Sequence, residues 1–270
     1  MEDAPRIDPE KIIRRNRDGS LEYLEDDLTI EQPLEIRIGS KTLVTTMRTP
    51  GHDAELAAGF LISEGLIRER RDIAEISIDG ENIVLISLGA GVKVNWKSAQ
   101  RFGTVSSSCG LCGKTNVGAI RQNFGFIKTT NVRIAMDVLL SLPDKLRNAQ
   151  SDFERTGGIH AAGIFDATGE LKIAREDIGR HNAVDKVVGC AFLTGNLPLD
   201  SHILLVSGRA SLEIVQKALA AGIPVVAAVS APSSLAVEFA RQSNQTLIGF
   251  LRPPMFNVYA HVERVILDSL

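Results

Sequence analysis

The sequence predicts an α/β protein with a three-layer α/β/α C-terminal domain and an N-terminal α+β subdomain. From about Thr156 onward, apolar runs of strand length alternate with segments of helical periodicity. That rhythm is typical of a largely parallel sheet covered by helices. Before that point, short runs alternate apolar and polar side chains, as half-buried strands do. We therefore expect the N-terminal subdomain to span residues 1–130 and the C-terminal domain residues 131–270.

The N-terminal half begins with a polar, charged stretch that ends in a turn signal at 14–20, which favours an arm or an edge hairpin. After the break at 50–52, Asp53 is expected to cap a helix. The predicted strands lie at 34–38, 43–47, 76–78 and 84–88, and the predicted helix buries Leu56, Phe60 and Leu61.

In the C-terminal half, two predicted strands at 161–165 and 171–174 flank a turn at 166–169. The helix that follows has one apolar face, and Cys190 lies just beside it, most simply as a small buried residue. The later elements are strands at 203–206, 224–229 and 247–251, and helices at 211–221 and 233–240.

Composition limits the function classes. With 270 residues, 44% hydrophobic and 23% charged, the chain can bury a substantial core. A net charge of −3 gives no reason to expect binding to nucleic acid or a membrane surface. No apolar run reaches the roughly eighteen residues that span a bilayer, and Met1 to Pro5 do not resemble a signal peptide. Three cysteines suit a reducing cytoplasm, the expected location.

Two of the cysteines lie three residues apart in a stretch of small residues, 106–113. A glycine follows both Cys109 and Cys112, so we expect a mobile loop with reactive thiols. A structural zinc site would need four ligands, and the only other cysteine, Cys190, lies far along the chain. We therefore predict no metal site.

Three interpretations of this cysteine pair stay open. A dithiol redox pair would close a disulfide, with the leading thiol acidified by a cation such as Lys114 or Arg101. A sulfur carrier would use the Cys109 thiolate to take the terminal sulfur of a persulfide, with Cys112 assisting its transfer or release. Two incidental surface cysteines are the third interpretation, which exposed thiols make unattractive.

Two strand ends carry residues that suit phosphate. The loops at 207–211 and 230–234 each lead into a predicted helix, whose free N–H groups favour anions. Arg209 adds a guanidinium that matches phosphate oxygens, although serines in such loops are also ordinary helix caps. The candidate ligand-binding residues here are Ser207, Gly208, Arg209 and Ser230.

The densest polar cluster lies at 175–182. Arg180, His181 and Asn182 share one tight turn behind Gly179, a set able to contact a polar ligand with a heterocyclic base. A lone histidine at a helix start is more often a cap or a packing residue. The tail at 249–257 joins a strand end to Arg252 and two aromatic residues, which are usually core residues.

His160 invites comparison with the zinc deaminases, which place a glutamate two residues after the zinc-binding histidine. Ala162 stands at that position, and no Cys-x-x-Cys follows. Deaminase chemistry is therefore not expected, although the strand and helix order suits that fold. His160 is either structural or part of a different pocket.

Several longer motifs together resemble the FdhD/NarQ family, the formate dehydrogenase accessory sulfurtransferases. They lie at 47–53, 109–113, 158–162, 175–186 and 207–211, and the resemblance extends from about Asn16 onward. It implies a cytidine-deaminase-like fold for the C-terminal half. It also implies that sulfur is accepted as a persulfide from a cysteine desulfurase and delivered to the molybdenum bis-molybdopterin guanine dinucleotide cofactor of formate dehydrogenase.

By this resemblance, Cys109 is the persulfide-forming residue and Cys112 its partner. GDP would be a partial mimic of the cofactor, which is bound as a substrate, and the protein would form a homodimer. The family's cofactor-contacting segment corresponds to Phe250, Leu251, Arg252, Pro253, Pro254 and Met255, the last three at positions that are more usually glycine-rich and basic. A non-catalytic cofactor chaperone and a dithiol oxidoreductase are the alternative functions.

Overall fold

The computed structural model describes residues 5–94, 96, 125–128 and 131–267. The strands in these ranges are β1 (Ile7–Arg15), β2 (Leu21–Thr29), β3 (Gln32–Ile38), β4 (Lys41–Arg48), β5 (Ile73–Asp79), β6 (Ile83–Leu88), β7 (Ile134–Ala135), β8 (His160–Asp166), β9 (Leu171–Asp177), β10 (His202–Val206), β11 (Val225–Ala228), β12 (Thr246–Arg252), β13 (Met255–Ala260) and β14 (Val265–Ile266). The α-helices are α1 (Asp53–Ser63), α2 (Met136–Asn148), α3 (Ser151–Thr156), α4 (Arg180–Leu193), α5 (Leu212–Ala220) and α6 (Ser234–Gln242). No helix in the described ranges is long and apolar enough to cross a membrane.

The central sheet has six strands in the order β13-β12-β11-β10-β8-β9. Strands β10, β11 and β12 run parallel, whereas β8 is antiparallel to both of its neighbours and β13 is antiparallel to β12. The expectation of a largely parallel sheet is therefore wrong. For β8 and β9 the physical reason is the tight turn after Asp166, where Gly169 N–H donates to the Asp166 carbonyl, because a connection this short can join only antiparallel strands.

Helices cover both faces of this sheet, which confirms the α/β class and the three layers. Along β10, Ile203 and Leu205 face one core with α2, while Leu204 and Val206 face the other core with α4, α5 and α6. All four side chains are buried. The alternation follows from the twofold period of a strand.

The N-terminal half forms a second sheet, in the order β4-β3-β6-β5. Its inner side chains, such as Leu34, Ile36 and Ile86, are fully buried in the same core as residues of α1 and α4. The predicted strands of this half are confirmed, and α1 joins its sheet to the central one. The helix starts one residue earlier than expected, because His52 occupies the N-cap position and Asp53, the expected cap, is the first helical residue and is paired with the buried Arg48.

Helices α1 and α4 touch backbone to backbone. A Cβ atom placed on Gly59 would lie 1.8 Å from the carbonyl oxygen of Asp185, and one placed on Gly189 would lie 1.8 Å from that of Glu55. Only glycine fits at either position, since a methyl group there would overlap the neighbouring helix.

Buried ion pairs link α4 to its surroundings. Lys186 Nζ lies 2.7 Å from Asp177 Oδ2 and donates to the carbonyl oxygen of Thr49. Asp185 accepts hydrogen bonds from Lys217 of α5 and from Ser63 of α1. Because polar groups withdrawn from water require partners, these pairs fix α4 against both halves of the chain.

Strands β1 and β2 form the predicted hairpin, which is paired over its full length. Its base is held to α3, where Thr29 bonds to Thr156 and Asp27 pairs with Arg155. Toward the turn, large apolar side chains face solvent, and Tyr23 is 81% exposed. The hairpin therefore projects as an arm.

Candidate functional site

One edge of the central sheet gathers the carboxyl ends of β9, β10, β11 and β12 with the first residue of β8. Three helices, α4, α5 and α6, begin just beyond β9, β10 and β11. Ligands of open α/β sheets bind at such an edge. The sequence-predicted site residues 180–182, 207–209 and 230 all lie along it.

Two arginines at this edge have no ion pair with a carboxylate in the part of the chain that the structure describes. Arg180 is the first residue of α4 and is half-buried, and Arg209 follows β10 and is exposed. Neither arginine has a hydrogen bond or ion pair to any residue that the structure describes, and Arg180 Nε is buried without a partner. Both guanidinium groups are therefore available to an anion.

His160 lies near Arg180, at the start of β8. Its ring packs on Gly208, where a Cβ atom would lie 3.4 Å from the ring atoms Nδ1 and Cε1 and 3.6 Å from Arg180 Cδ. Burial lowers the pKa of His160 below its ordinary value, and the positive charge of Arg180 lowers it further. This lowered pKa favours the neutral imidazole, which borders the predicted phosphate loop directly.

His181 contacts a residue that the sequence did not single out. Its Nε2 lies 2.9 Å from Glu213 Oε2 and 3.1 Å from Ser211 Oγ. Burial would raise the pKa of Glu213, but the hydrogen bond and charge of His181 outweigh it and lower the pKa. An acidic residue in the first turn of a helix is ordinary, so only the placement of α5 beside α4 could have identified Glu213.

Asn182 joins the two halves of the chain. Its side-chain amide donates to the carbonyl oxygen of Met47 at 2.7 Å and to Asp177 Oδ1 at 3.0 Å. Both amide hydrogens are thereby used. The cofactor-binding role of Asn182 stays a prediction, with the carbonyl end of the side chain left to support it.

The strand-end serines are partly engaged with the backbone. Ser207 Oγ accepts from the N–H of Ala161, 2.9 Å away, which ties β10 to β8. The carbonyl oxygen of Ser230 accepts from Phe250 N–H at 3.1 Å. Ser207, Gly208, Arg209 and Ser230 are thus brought to one edge, as predicted for a common ligand site.

Helix N-termini at this edge differ in how they are capped. Ser233 caps α6 by accepting from Ala236 N–H. Neither Gly179 at the start of α4 nor Ser211 at the start of α5 provides a side-chain cap. The first-turn N–H groups of α4 and α5 are therefore not satisfied by their N-cap side chains, an arrangement that suits anions.

The segment 250–255 closes the edge as the turn between β12 and β13. Phe250 has φ of 50°, in the left-handed region, and its side chain is 40% exposed. Leu251 is buried in the core, and Arg252 Nε donates to the carbonyl oxygen of Val229. Pro253 and Pro254 form the turn, and Met255 is exposed. This segment therefore presents Phe250 and Met255 to solvent.

The third cysteine lies apart from this edge. Cys190 Sγ is 3.3 Å from Arg175 Nη2, and burial, together with the negative charge of Glu55, raises the pKa of its thiol. Cys109 and Cys112 lie outside the described residues. Within the ranges that the structure describes, no group of three or more metal-ligating side chains is arranged to hold a metal ion.

Comparison with known proteins gives consistent matches over nearly the whole chain. The model of the FdhD/NarQ family matches residues 29–266. A protein of Streptomyces coelicolor named sulfur carrier protein FdhD is 49% identical over 98% of this chain and 98% of its own length. Proteins of the same name from Mycobacterium tuberculosis and Sulfurisphaera tokodaii are 47% and 45% identical, over 89% and 91% of this chain and 92% and 94% of their own.

A solved structure shares the fold. It is a crystal structure from Desulfotalea psychrophila, assigned as a formate dehydrogenase accessory protein. It aligns with a TM-score of 0.78 over 97% of this chain and 100% of its own, at 24% sequence identity.

Proposed function

This chain belongs to the FdhD/NarQ family, and from that premise we propose that it is a sulfurtransferase that works in the maturation of formate dehydrogenase. It accepts persulfide sulfur from a cysteine desulfurase and transfers it to the molybdenum bis-molybdopterin guanine dinucleotide cofactor, its bound substrate. The names of the curated relatives, sulfur carrier proteins, support the sulfur-carrying part. A cytoplasmic location suits this role, because reduced thiols persist there.

In the first step, the Cys109 thiolate attacks the terminal sulfur of the desulfurase persulfide. A new S–S bond forms at Cys109 as the donor's S–S bond breaks, and the donor cysteine leaves as a thiolate. Cys112 assists the later transfer or limits oxidation. Cys190 is a poor substitute for Cys109, because its raised pKa keeps it protonated and only a thiolate is strongly nucleophilic.

The observation that supports cofactor binding is a pair of arginines, without a hydrogen-bond or ion-pair partner among the described residues, beside two helix N-termini without side-chain caps. Arg180 and Arg209 flank the edge where α4 and α5 begin. Each guanosine end of the cofactor carries a pyrophosphate, and guanidinium groups with helix N–H donors are the protein groups that bind phosphate. The residues present therefore fit the nucleotide part of the substrate, for which GDP is a mimic.

The position of Phe250 suits binding of the guanine base. Its side chain is exposed at the same edge, beside Ser230, on a backbone held in the left-handed region. Strained, non-glycine positions of this kind concentrate at ligand sites. An exposed aromatic ring can stack on a purine, since every base presents a π-face.

The decisive experiment is intact mass spectrometry after incubation with a cysteine desulfurase and cysteine. The wild-type chain should gain about 32 Da for each sulfur added, and Cys109→Ala should lose that adduct. Cys190→Ala is the matched control and should keep the adduct. Cys112→Ala should lose less of the adduct than Cys109→Ala. An undiminished adduct on Cys109→Ala contradicts the proposal.

Two other functions remain as alternatives with clear tests. If a variant without Cys109 and Cys112 still activates formate dehydrogenase, the protein acts as a non-catalytic cofactor chaperone. If the wild-type protein forms a reversible Cys109–Cys112 disulfide and reduces a model disulfide substrate, it is a dithiol oxidoreductase.

We also propose that two copies pair through the hairpin of β1 and β2. A two-stranded hairpin is marginally stable alone in water, yet the cross-strand partners Ile13 and Tyr23 are exposed. Near its turn β1 carries Arg14 and Arg15, whereas β2 carries four acidic residues. In a twofold pair, β1 of one copy can therefore meet the acidic β2 of the other. Placing a positive charge in the apolar contact, Tyr23→Lys, should give a monomer in light scattering, and a wild-type monomer would exclude this pairing.

A further inference from the structure

A groove of about 380 Å³ lies between the two halves of the chain, where helices α4 and α5 end. One wall is apolar and comes from the C-terminal half, and the other is charged and comes from the turn before β5. The apolar wall includes Phe192, Leu197, Pro198 and Ala220, and the charged wall includes Arg68 and Arg70.

The groove is separate from the proposed nucleotide edge. Helices α4 and α5 begin at that edge, whereas Phe192 and Ala220 belong to their last turns. Because α4 has 14 residues and an α-helix rises about 1.5 Å per residue, the groove lies roughly 20 Å from the edge. A molecule bound in the groove therefore leaves the nucleotide edge open.

The apolar wall is held in place by contacts of its own. Leu199 N–H donates to the carbonyl oxygen of Ala221 at 2.9 Å, which ties the loop after α4 to the end of α5. In the same place, a Cβ atom on Gly222 would lie 2.8 Å from Pro198 Cβ. The wall is therefore formed before anything binds, and no loop has to be ordered at a cost in entropy.

The charged wall presents positive charge. The five residues before β5 are three arginines and two acidic residues, and both acidic residues are engaged among themselves. Asp72 Oδ2 accepts from the backbone N–H groups of Arg68 and Glu69 at 2.8 and 2.9 Å, and Glu69 pairs with Arg71 at 2.6 Å. Arg70 donates to a backbone carbonyl and makes no ion pair with a carboxylate in the described ranges.

We propose that this groove docks an acidic peptide segment of a partner protein. One apolar side chain of the peptide packs against Phe192 and Leu197, and its carboxylates pair with the arginines of the charged wall. An apolar anchor in a pocket beside charged groups is a common arrangement in binding hot spots, and arginine clusters recognise acidic motifs. The last carbonyl groups of α4 and α5 lie at the same groove, where they can accept N–H groups of the peptide backbone. The inference goes beyond the proposed function and does not depend on the nucleotide site.

Fluorescence anisotropy of a labelled peptide, Glu-Asp-Leu-Phe-Asp-Glu, with the full-length protein tests the proposal. The wild type should bind this peptide about tenfold or more tightly than peptides with lysine at the acidic positions or serine at the apolar ones. Arg70→Glu should weaken binding by a similar factor, because it places like charges together. Arg133→Glu is the matched control and should bind as the wild type does, since Arg133 is also exposed and donates to a nearby carbonyl.

A second variant keeps the test independent of the arginine. Ala220→Trp fills the groove and should also weaken binding of the acidic peptide. The proposal is overturned if the wild type shows no saturable binding up to about 1 mM peptide, or if Arg70→Glu and Ala220→Trp both bind as tightly as the wild type. A lower mass of Ala220→Trp than of the wild type in light scattering would show that a second copy of the chain covers the groove, which also contradicts the proposal.

Discussion

Gly189 of α4 faces the carbonyl oxygen of Glu55 in α1 so closely that a Cβ atom at position 189 would lie 1.8 Å from that oxygen. Gly189→Ala must push the two helices apart, so it should lower the free energy of unfolding by about 3 kcal/mol or more, at or beyond the upper end of the usual cost of overpacking. Urea unfolding of the wild type and of Gly189→Ala measures this difference in free energy. Gly158→Ala, whose Cβ would make only ordinary contacts, is the control, and an equal loss in both variants would contradict the close approach.

The buried pair of Lys217 and Asp185 should be strongly coupled. Lys217→Met leaves a buried carboxylate without its partner, which should cost about 3–5 kcal/mol of stability. The double variant Lys217→Met with Asp185→Leu should lose much less than the sum of the two single variants. A double-mutant cycle in urea measures the coupling. Strict additivity would mean that the pair does not act as a unit.

Glu55 should make stability depend on pH at the acidic end. Burial disfavours its ionised form, but hydrogen bonds from His52 and Arg175 dominate and lower its pKa to about 2. A carboxylate with a lowered folded-state pKa stabilises above its unfolded value and loses that contribution as pH falls toward the folded value. Wild type should therefore be more stable than Glu55→Gln at neutral pH, with the difference shrinking as pH falls from about 4.5 toward 2. Urea unfolding between pH 7 and 3 checks this, and a constant difference would contradict it.

Arg180 and Arg209 should contribute directly to nucleotide affinity. Because neither guanidinium has a partner in the part of the chain that the structure describes, replacing either with Met should weaken GDP binding about tenfold or more with little loss of stability. Calorimetry at two salt concentrations should show a smaller salt dependence in each variant. Arg71→Met is the control, since Arg71 is exposed and pairs with Glu69 in the turn before β5. Unchanged affinity in both site variants would remove the arginines from the site.

Much of the fold could be predicted from periodicity, because strand and helix patterns are local. The predicted segments 203–206 and 233–240 correspond closely to β10 and α6. Strand direction was harder, since an antiparallel strand such as β8 has the same apolar alternation as a parallel one. Helix α2 was missed because it contains Pro143, a residue that normally breaks helices.

The candidate site could be predicted in part. Arg209 and Ser207 follow a strand end, so their common edge was visible in the sequence. Glu213 was not identified, because its role depends on α5 lying beside α4, a relationship between distant segments. Asn182, in contrast, was singled out from a conspicuous polar motif, but the structure shows its side-chain amide donating to Met47 and Asp177.

The close packing of α1 on α4 at Gly59 and Gly189 limits how the two halves of this chain can be exchanged between relatives. Helix α4 carries Arg180 and His181 in its first turn, and the same helix packs against α1 from the other half of the chain. A chimera that joins the first half of one relative to the second half of another would need both glycines and the buried charges around them to match. The ligand edge therefore cannot be transferred with the second half of the chain alone, because the helix that carries Arg180 and His181 is held in place by α1 of the first half.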